Sequence, residues 1–413
     1  MRVYQFLLQV IYLLKPVLKF IPHEKIKFFF QNEGRIHSSG PITARPLWIH
    51  ASSGEIEYAK SLIRELKIQY PHVPLLVTHT SISSENAVKK LEVAAWGVSP
   101  LDSSIDVKAF IAKWNPRACL IARTDLWPQT LLELHNANIP IYLFSATFAQ
   151  GSKKISLLAR QLLKTALPLI KKIYFVSSAD EKICKTYFPN VRGEIKGDTR
   201  YDQVIYRLQE AQNIKLPEAP KILIAGSTWA EDEEILIPAF EKLKRHNWKF
   251  ILVPHEVSAH HMVTIRAKLE QTTLKCHFSS QGINSFSWDH IDVLLVDQVG
   301  ILASLYSQAK VAFIGGSFRK QVHSVMEALA TKSPVIVGPF HENNREAIEF
   351  KKLGFVVEVN NVEQMVNATE ALEIQVETLA PKLELEIQKR LGVTKKLIED
   401  LKSQGLFEET SKI

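Results

Sequence analysis

Two stretches in the first half of the chain carry residue types that can do chemistry. In Trp48-Ile49-His50-Ala51-Ser52-Ser53-Gly54-Glu55 a strand-like run ends in small residues and then a carboxylate. Small residues leave backbone N–H groups open to a ligand, and a helix beginning at Glu55 adds positive potential. A carboxylate held at such a turn can take a proton from an attacking hydroxyl. Glu55 is therefore the candidate general base, with Ser52, Ser53 and Gly54 beside it. The same residues also fit an ordinary helix start, with Ser53 as N-cap and Glu55 complementing the dipole. Further on, Arg123-Thr124-Asp125-Leu126-Trp127-Pro128 sets two opposite charges after a buried run. It reads as a stiff ligand loop, or as an Asp cap ahead of a helix that Pro128 begins.

The second half offers three more. Gly226-Ser227-Thr228 is a phosphate-binding turn or a helix cap. Gly315-Gly316-Ser317 is followed by His323 and Glu327, which would share one helix face at i,i+4. Gly-rich turns accept phosphates, and a helical carboxylate can take ribose hydroxyls. Neither GxGxxG nor GxxxxGK[ST] occurs. Pro254-His255-Glu256 opens a string reminiscent of HExxH, but the position that needs the second His is Ala259. No metal and no cofactor are expected. Cys119, Cys184 and Cys276 are far apart with no CxxC, which points away from a disulfide scaffold and toward a reducing compartment.

What must position these residues is an alternation of strands and helices. At 413 residues the chain exceeds one compact domain. Apolar residues at 46% and charged residues at 23% exclude wholesale disorder and a polytopic membrane protein. Short apolar runs at 47–50, 74–80, 118–123, 139–146 and 172–178 alternate with helical periodicity. In Glu55–Tyr70, for instance, Ile56, Ala59, Leu62, Ile63 and Leu66 form one face. After a polar, proline-containing stretch the alternation restarts, with runs at 221–228, 248–255, 292–298, 310–318 and 333–340. The expected class is α/β, with two doubly wound Rossmann-like parallel-sheet domains and ligands at the carboxyl ends of the strands, in the cleft between domains. The expected boundaries are 1–45 for a basic, apolar segment, 46–205 for the first domain, 206–220 for a linker and 221–413 for the second domain.

Residues 1–45 hold seven Lys/Arg against two acids, which is five of the chain's eight net positive charges. Their apolar run, Val3 to Leu14, ends at Lys15-Pro16, and a spanning helix needs about 20 apolar residues. A short apolar helix flanked by Lys and Arg lies in a bilayer surface, and Lys25–Phe30 repeats the pattern. With those residues set aside the charge is nearly balanced, so no nucleic-acid partner is expected.

In this order the motifs resemble the Kdo (3-deoxy-D-manno-octulosonic acid) transferase family. The family's HAVSVGE is matched by His50-Ala51-Ser52-Ser53-Gly54-Glu55, one residue shorter. Its ETELWPN is matched by Arg123 to Gln129, and its GN-K-D by Gly197 to Asp202. Its AGSTHEGEE is matched by Ala225 to Glu233, with Trp229 at the histidine. Its Pro-Arg, DTMGEL and GGHNPLEPA strings correspond to Pro254-His255, to Asp297 to Leu302, and to the segment containing His323 to Ala328.

The resemblance implies a GT-B glycosyltransferase that moves Kdo from CMP-Kdo to a lipid A precursor. The configuration would invert, without metal, at the cytoplasmic face of the bacterial inner membrane. By the same resemblance Glu55 is the general base. Ser227, Thr228, Pro254, His255, Val299, Gly300, Ile301, Gly315, Gly316 and Ser317 would face CMP, together with His323, Ser324, Val325, Met326 and Glu327. Ser52, Ser53, Gly54, Arg123, Asp125 and Arg200 would face the acceptor. Four departures stand out: His255 replaces the family's phosphate-facing Arg, Ser324 its Asn, Ile301 the Glu of DTMGEL, and Arg123 a Glu. They leave open another nucleotide-sugar donor, or a catalytically silent relative.

Overall fold

The computed structural model describes residues 2–148, 157–219 and 221–408. The chain forms two compact units, Met1–Gln203 with Arg390–Ile413, and Val204–Lys389.

The first unit is built on strands β1 (Ile36–Ser38), β2 (Leu47–His50), β3 (Leu75–His79), β4 (Ala95–Val98), β5 (Ala118–Ala122), β6 (Ile141–Ala146), β7 (Lys172–Phe175) and β8 (Gly193–Ile195). Their order is β1-β4-β3-β2-β5-β6-β7-β8, parallel throughout except for β1 against β4. Side chains alternate across a strand, and both faces here are apolar. Leu47 and Ile49 join one core cluster, under the helix Ile56–Gln69, while Trp48 joins the other, under the helix Pro128–Asn136.

Three expectations need correcting in this unit. The basic N-terminal segment is not an appendage: β1 pairs with β4, and Lys15 bridges Glu33 (3.0 Å) and Asp106 (2.8 Å). Its helix, Arg2–Leu18, runs through Pro16 instead of ending there. The C-terminus returns from the second unit. In the helix Val393–Ser403, Leu397, Ile398 and Leu401 sit in the same cluster as Leu62 and Leu66, so an amphipathic helix buries its stripe on the first sheet. Asp202 fixes its start by accepting N–H groups of Gly392 and Thr394, both at 2.7 Å. No helix among the described residues is long and apolar enough to cross a membrane.

The second unit is an all-parallel sheet of β9 (Ile222–Thr228), β10 (Lys249–Pro254), β11 (Cys276–Phe278), β12 (Val293–Leu295), β13 (Val311–Ile314), β14 (Val335–Val337) and β15 (Val356–Glu358). The order is β11-β12-β10-β9-β13-β14-β15. The division falls between Gln203 and Val204, inside the helix Thr199–Glu210, so the expected linker at 206–220 is partly helical.

Candidate active site

In the first unit the strand order reverses between β2 and β5, the place where doubly wound sheets open a ligand crevice. The segments leaving these two strands are the ones singled out in the sequence. Ser53–Glu55 form a 3-10 turn and the α-helix starts at Ile56, one residue later than expected. Neither Ser52 nor Glu55, which stand at the two N-cap positions, makes a capping side-chain bond. Ser53 adopts φ 48° and Arg123 φ 59°, a left-handed conformation that costs a non-glycine residue roughly 1–2 kcal/mol. Strain of this kind is characteristic of functional turns. Ser52 Oγ meets Thr80 Oγ1 at 2.6 Å, whereas Ser53 and Gly54 are exposed. Glu55 is half-buried, and its carboxylate has no hydrogen bond or ion pair among the described residues.

Asp125 does not cap the helix that Pro128 begins. Asp102 does so, accepting from Gln129 N (3.1 Å) and Thr130 N (2.6 Å). Asp125 is left to face His50, whose Nε2 lies 2.9 Å from Asp125 Oδ2. His50 Nδ1 meets Thr78 Oγ1 at 2.8 Å, and that hydroxyl also accepts the Trp48 indole N–H at 2.7 Å. Arg123 and Arg200 converge on Tyr58, which follows Glu55 on the next helix. Their guanidinium carbons lie 4.7 and 5.7 Å from its ring centre, and both groups donate to its hydroxyl. Arg123 also donates to Thr147 at 2.8 Å. Two permanent cations gathered on Tyr58, three residues after Glu55, suit an anionic substrate. A cavity of about 370 Å³ opens beside this loop, lined by Asp125, Leu126, Trp127, Phe148, Leu163 and Tyr4.

In the second unit the reversal lies between β9 and β13. It joins Ser227 and Thr228, Pro254 and His255, Gly315 to Ser317, and His323. His255 N donates to Thr228 O at 2.9 Å and Gly315 N to Gly226 O at 2.9 Å. Gly315 permits this approach, since a Cβ there would stand 2.2 Å from Ser227 O. Gly316 takes φ 79°, with Gln321 O 2.3 Å from where its Cβ would be. The N–H groups of this turn are not open to a phosphate, contrary to expectation. The fully buried Asp232 accepts Gly316 N (2.7 Å), Phe318 N (3.0 Å) and Trp229 N (2.9 Å), filling the position an external anion would occupy. Ser317 Oγ accepts Gly338 N at 2.7 Å, and Thr228 Oγ1 donates to Glu233 at 3.0 Å. His261 of the metalloprotease-like string bonds Glu233 as well, at 3.0 Å.

His323 and Glu327 do not share a helix face. The helix begins only at Met326, and His323 lies in the preceding loop. Glu327 is held by Ser324 Oγ (2.6 Å) and Arg207 (3.1 Å), while Val325 and Met326 are core residues. Val299 is exposed, and Gly300 (φ 91°) and Ile301 lead into the helix Leu302–Leu305 after β12, two places from β9 in the sheet.

What the sequence reading missed is a row of rings. Trp229 and His255 stack at 4.6 Å, His255 and His323 at 4.3 Å, and Trp229 Nε1 donates to His323 Nε2 at 3.0 Å. Arg319 lies 3.9 Å over the Trp229 ring. Burial, together with His255, pushes His323 down to about 4. Burial also lowers His255, against Glu256. Both imidazoles are therefore neutral near pH 7. The available signal was Trp229 standing at the histidine of the AGSTHEGEE string, and Arg319 two residues after Ser317.

Residues 23–203 match the family described as 3-deoxy-D-manno-octulosonic-acid transferase (kdotransferase). The 3-deoxy-D-manno-octulosonic acid transferase of Haemophilus influenzae is 28% identical over 352 residues, 81% of this chain and 78% of that protein. The one from Bordetella pertussis is 29% identical over 332 residues, 76% of each. The crystal structure of MurG from Acinetobacter baumannii superposes with a TM-score of 0.55 at 12% identity, covering 87% of this chain and 99% of that one, which speaks to the fold. Two doubly wound parallel sheets with this neighbour give the chain the GT-B fold. Within that fold the chain is similar to the Kdo transferase family.

Proposed function

We propose that the protein transfers Kdo from CMP-Kdo to a lipid A precursor, with inversion, at the cytoplasmic face of the inner membrane. Glu55 takes the proton of an acceptor hydroxyl as its oxygen attacks the anomeric carbon. The bond from that carbon to the phosphate oxygen breaks, and CMP leaves carrying the electron pair. The first unit holds the acceptor, with Arg123 and Arg200 toward its phosphates. The second unit holds the donor.

The observation that carries this reading is the Glu55 carboxylate, without a partner among the described residues, at the carboxyl end of β2, at the reversal of strand order. The apolar cavity beside Asp125 supports a lipid acceptor. So does the N-terminal helix, which exposes Phe6, Leu13 and Val17 on one side, with Phe20, Lys19, Lys25 and Lys27 exposed nearby. This amphipathic surface is the basis for peripheral or monotopic attachment.

The test is an assay of the purified enzyme with CMP-Kdo and a tetraacyl lipid A precursor. Glu55→Gln is expected to lose on the order of 10²–10⁴ in kcat with CMP affinity retained. Near-normal turnover by that variant refutes the general-base role. A thermal-shift response to UDP sugars but not to CMP moves the assignment to another donor.

A further inference from the structure

Several features of the second unit narrow what can meet the donor's negative charge. The Gly316 turn has already given its N–H groups to Asp232. His255 stands at the end of β10, stacked between Trp229 and His323. The Trp229 indole can only donate, so His323 Nε2 is an acceptor and carries no proton. No member of this ring row is a cation near neutral pH. A permanent charge does lie against it: the Arg319 guanidinium leaves the same turn two residues after Ser317 and lies over the Trp229 ring at 3.9 Å. Its side chain is 41% exposed, and its nearest carboxylate, Glu231, is 3.6 Å away and itself 48% exposed. An exposed ion pair of this length contributes little. Arg319 is thus held in place by the ring while its charge remains available to a ligand.

We propose that Arg319, positioned on Trp229, is the donor-phosphate contact of this enzyme, in the role that His255 cannot fill. The proposal rests on the CMP-sugar reading above. A guanidinium offers a phosphate two parallel N–H donors at any physiological pH, which an uncharged imidazole does not. Stacking on an indole restricts the side chain before the ligand arrives, so less freedom is lost on binding.

The test is calorimetric binding of CMP and of cytidine to the full-length protein. Wild type is expected to favour CMP over cytidine by about tenfold or more, the scale of one charge-assisted contact. Arg319→Gln should bring the two ligands within about twofold of each other, with cytidine affinity unchanged, and Arg319→Lys should restore part of the preference. His255→Gln should leave the preference in place. Arg319→Gln keeping the full CMP preference overturns the proposal, and so does His255→Gln abolishing it as Arg319→Gln does. If wild type binds UMP or GMP instead, the CMP reading fails. The same comparison of that nucleotide with its nucleoside then decides the role of Arg319. A wild type that binds no nucleotide overturns both.

Discussion

Trp229 Nε1 donates to His323 Nε2 across 3.0 Å, and this bond keeps His323 Nε2 free of a proton. An indole N–H is a donor only, so a proton arriving at Nε2 must break the bond. Burial and the adjacent His255 hold His323 down to about 4, against 6.5 in an unfolded chain. As pH falls through 6.5 the unfolded chain takes up a proton that the folded one refuses until about 4. Stability is therefore complete above 6.5 and declines across the window from 6.5 to 4. Urea midpoints measured over that range should fall, and His323→Gln should flatten part of the decline. A wild-type midpoint that is constant from pH 6.5 to 4 would contradict the assignment.

Asp232 holds the same region together from beneath. It is fully buried and accepts three backbone N–H groups from two segments, Trp229 on one side and Gly316 and Phe318 on the other. Asp232→Ala leaves all three donors without a partner, and a buried unsatisfied group costs about 1–3 kcal/mol. The expected loss is roughly 3 kcal/mol or more, read from the urea unfolding transition. Asp232→Asn, which keeps an acceptor oxygen, should lose less.

Gly316→Ala tests the geometry of the turn itself. At φ 79°, and with Gln321 O 2.3 Å from the new Cβ, the side chain meets both a disfavoured backbone and a carbonyl that belongs to the same loop. A destabilisation of about 2 kcal/mol or more is expected, accompanied by weaker CMP binding as the loop bearing Arg319 and His323 shifts. Gly54→Ala is the contrast. Nothing lies within 4 Å of its Cβ position, so stability should change by no more than about 0.5 kcal/mol in unfolding measurements.

The parts of the fold that could be read from the sequence are those whose apolar pattern is strong and local. Leu47–His50, the helix Ile56–Gln69 and Ile222–Thr228 fall within a residue or two of where the periodicity puts them. Strands β1, β8, β11 and β15 are three residues each, with Val356 the one buried residue among them, and carry too little pattern to register. β4 is interrupted by Gly97, where a Cβ would collide with Arg35 O at 2.1 Å.

The crevice residues after β2 and β5 were legible because they sit at strand ends. The capture of Gly316 N–H by Asp232 was not, since it joins residues 84 apart in the chain and no local signal marks the encounter. The helix Val393–Ser403 shows its apolar stripe plainly, but nothing in the stripe says which sheet it will cover.

The N-terminal helix makes the last prediction. Phe6, Leu13 and Val17 are 63%, 75% and 64% exposed, and Phe20 just beyond the helix is 81% exposed. The opposite side is tied down by Leu8 in the core and by the Tyr4 hydroxyl, 2.6 Å from Asp102. An apolar face left in water beside exposed lysines is stabilised by a bilayer, at roughly 1.5–3 kcal/mol for each large side chain transferred. Replacing Phe6 and Leu13 together by Asp leaves the packed side untouched, so the unfolding transition should not move. Co-sedimentation with vesicles containing anionic lipid should fall by about tenfold or more, and raising the salt should weaken what binding remains. Turnover of a water-soluble, deacylated acceptor should be unaffected, while turnover of the lipid acceptor in vesicles falls. Vesicle binding by the double variant at the wild-type level would remove this helix from the membrane contact.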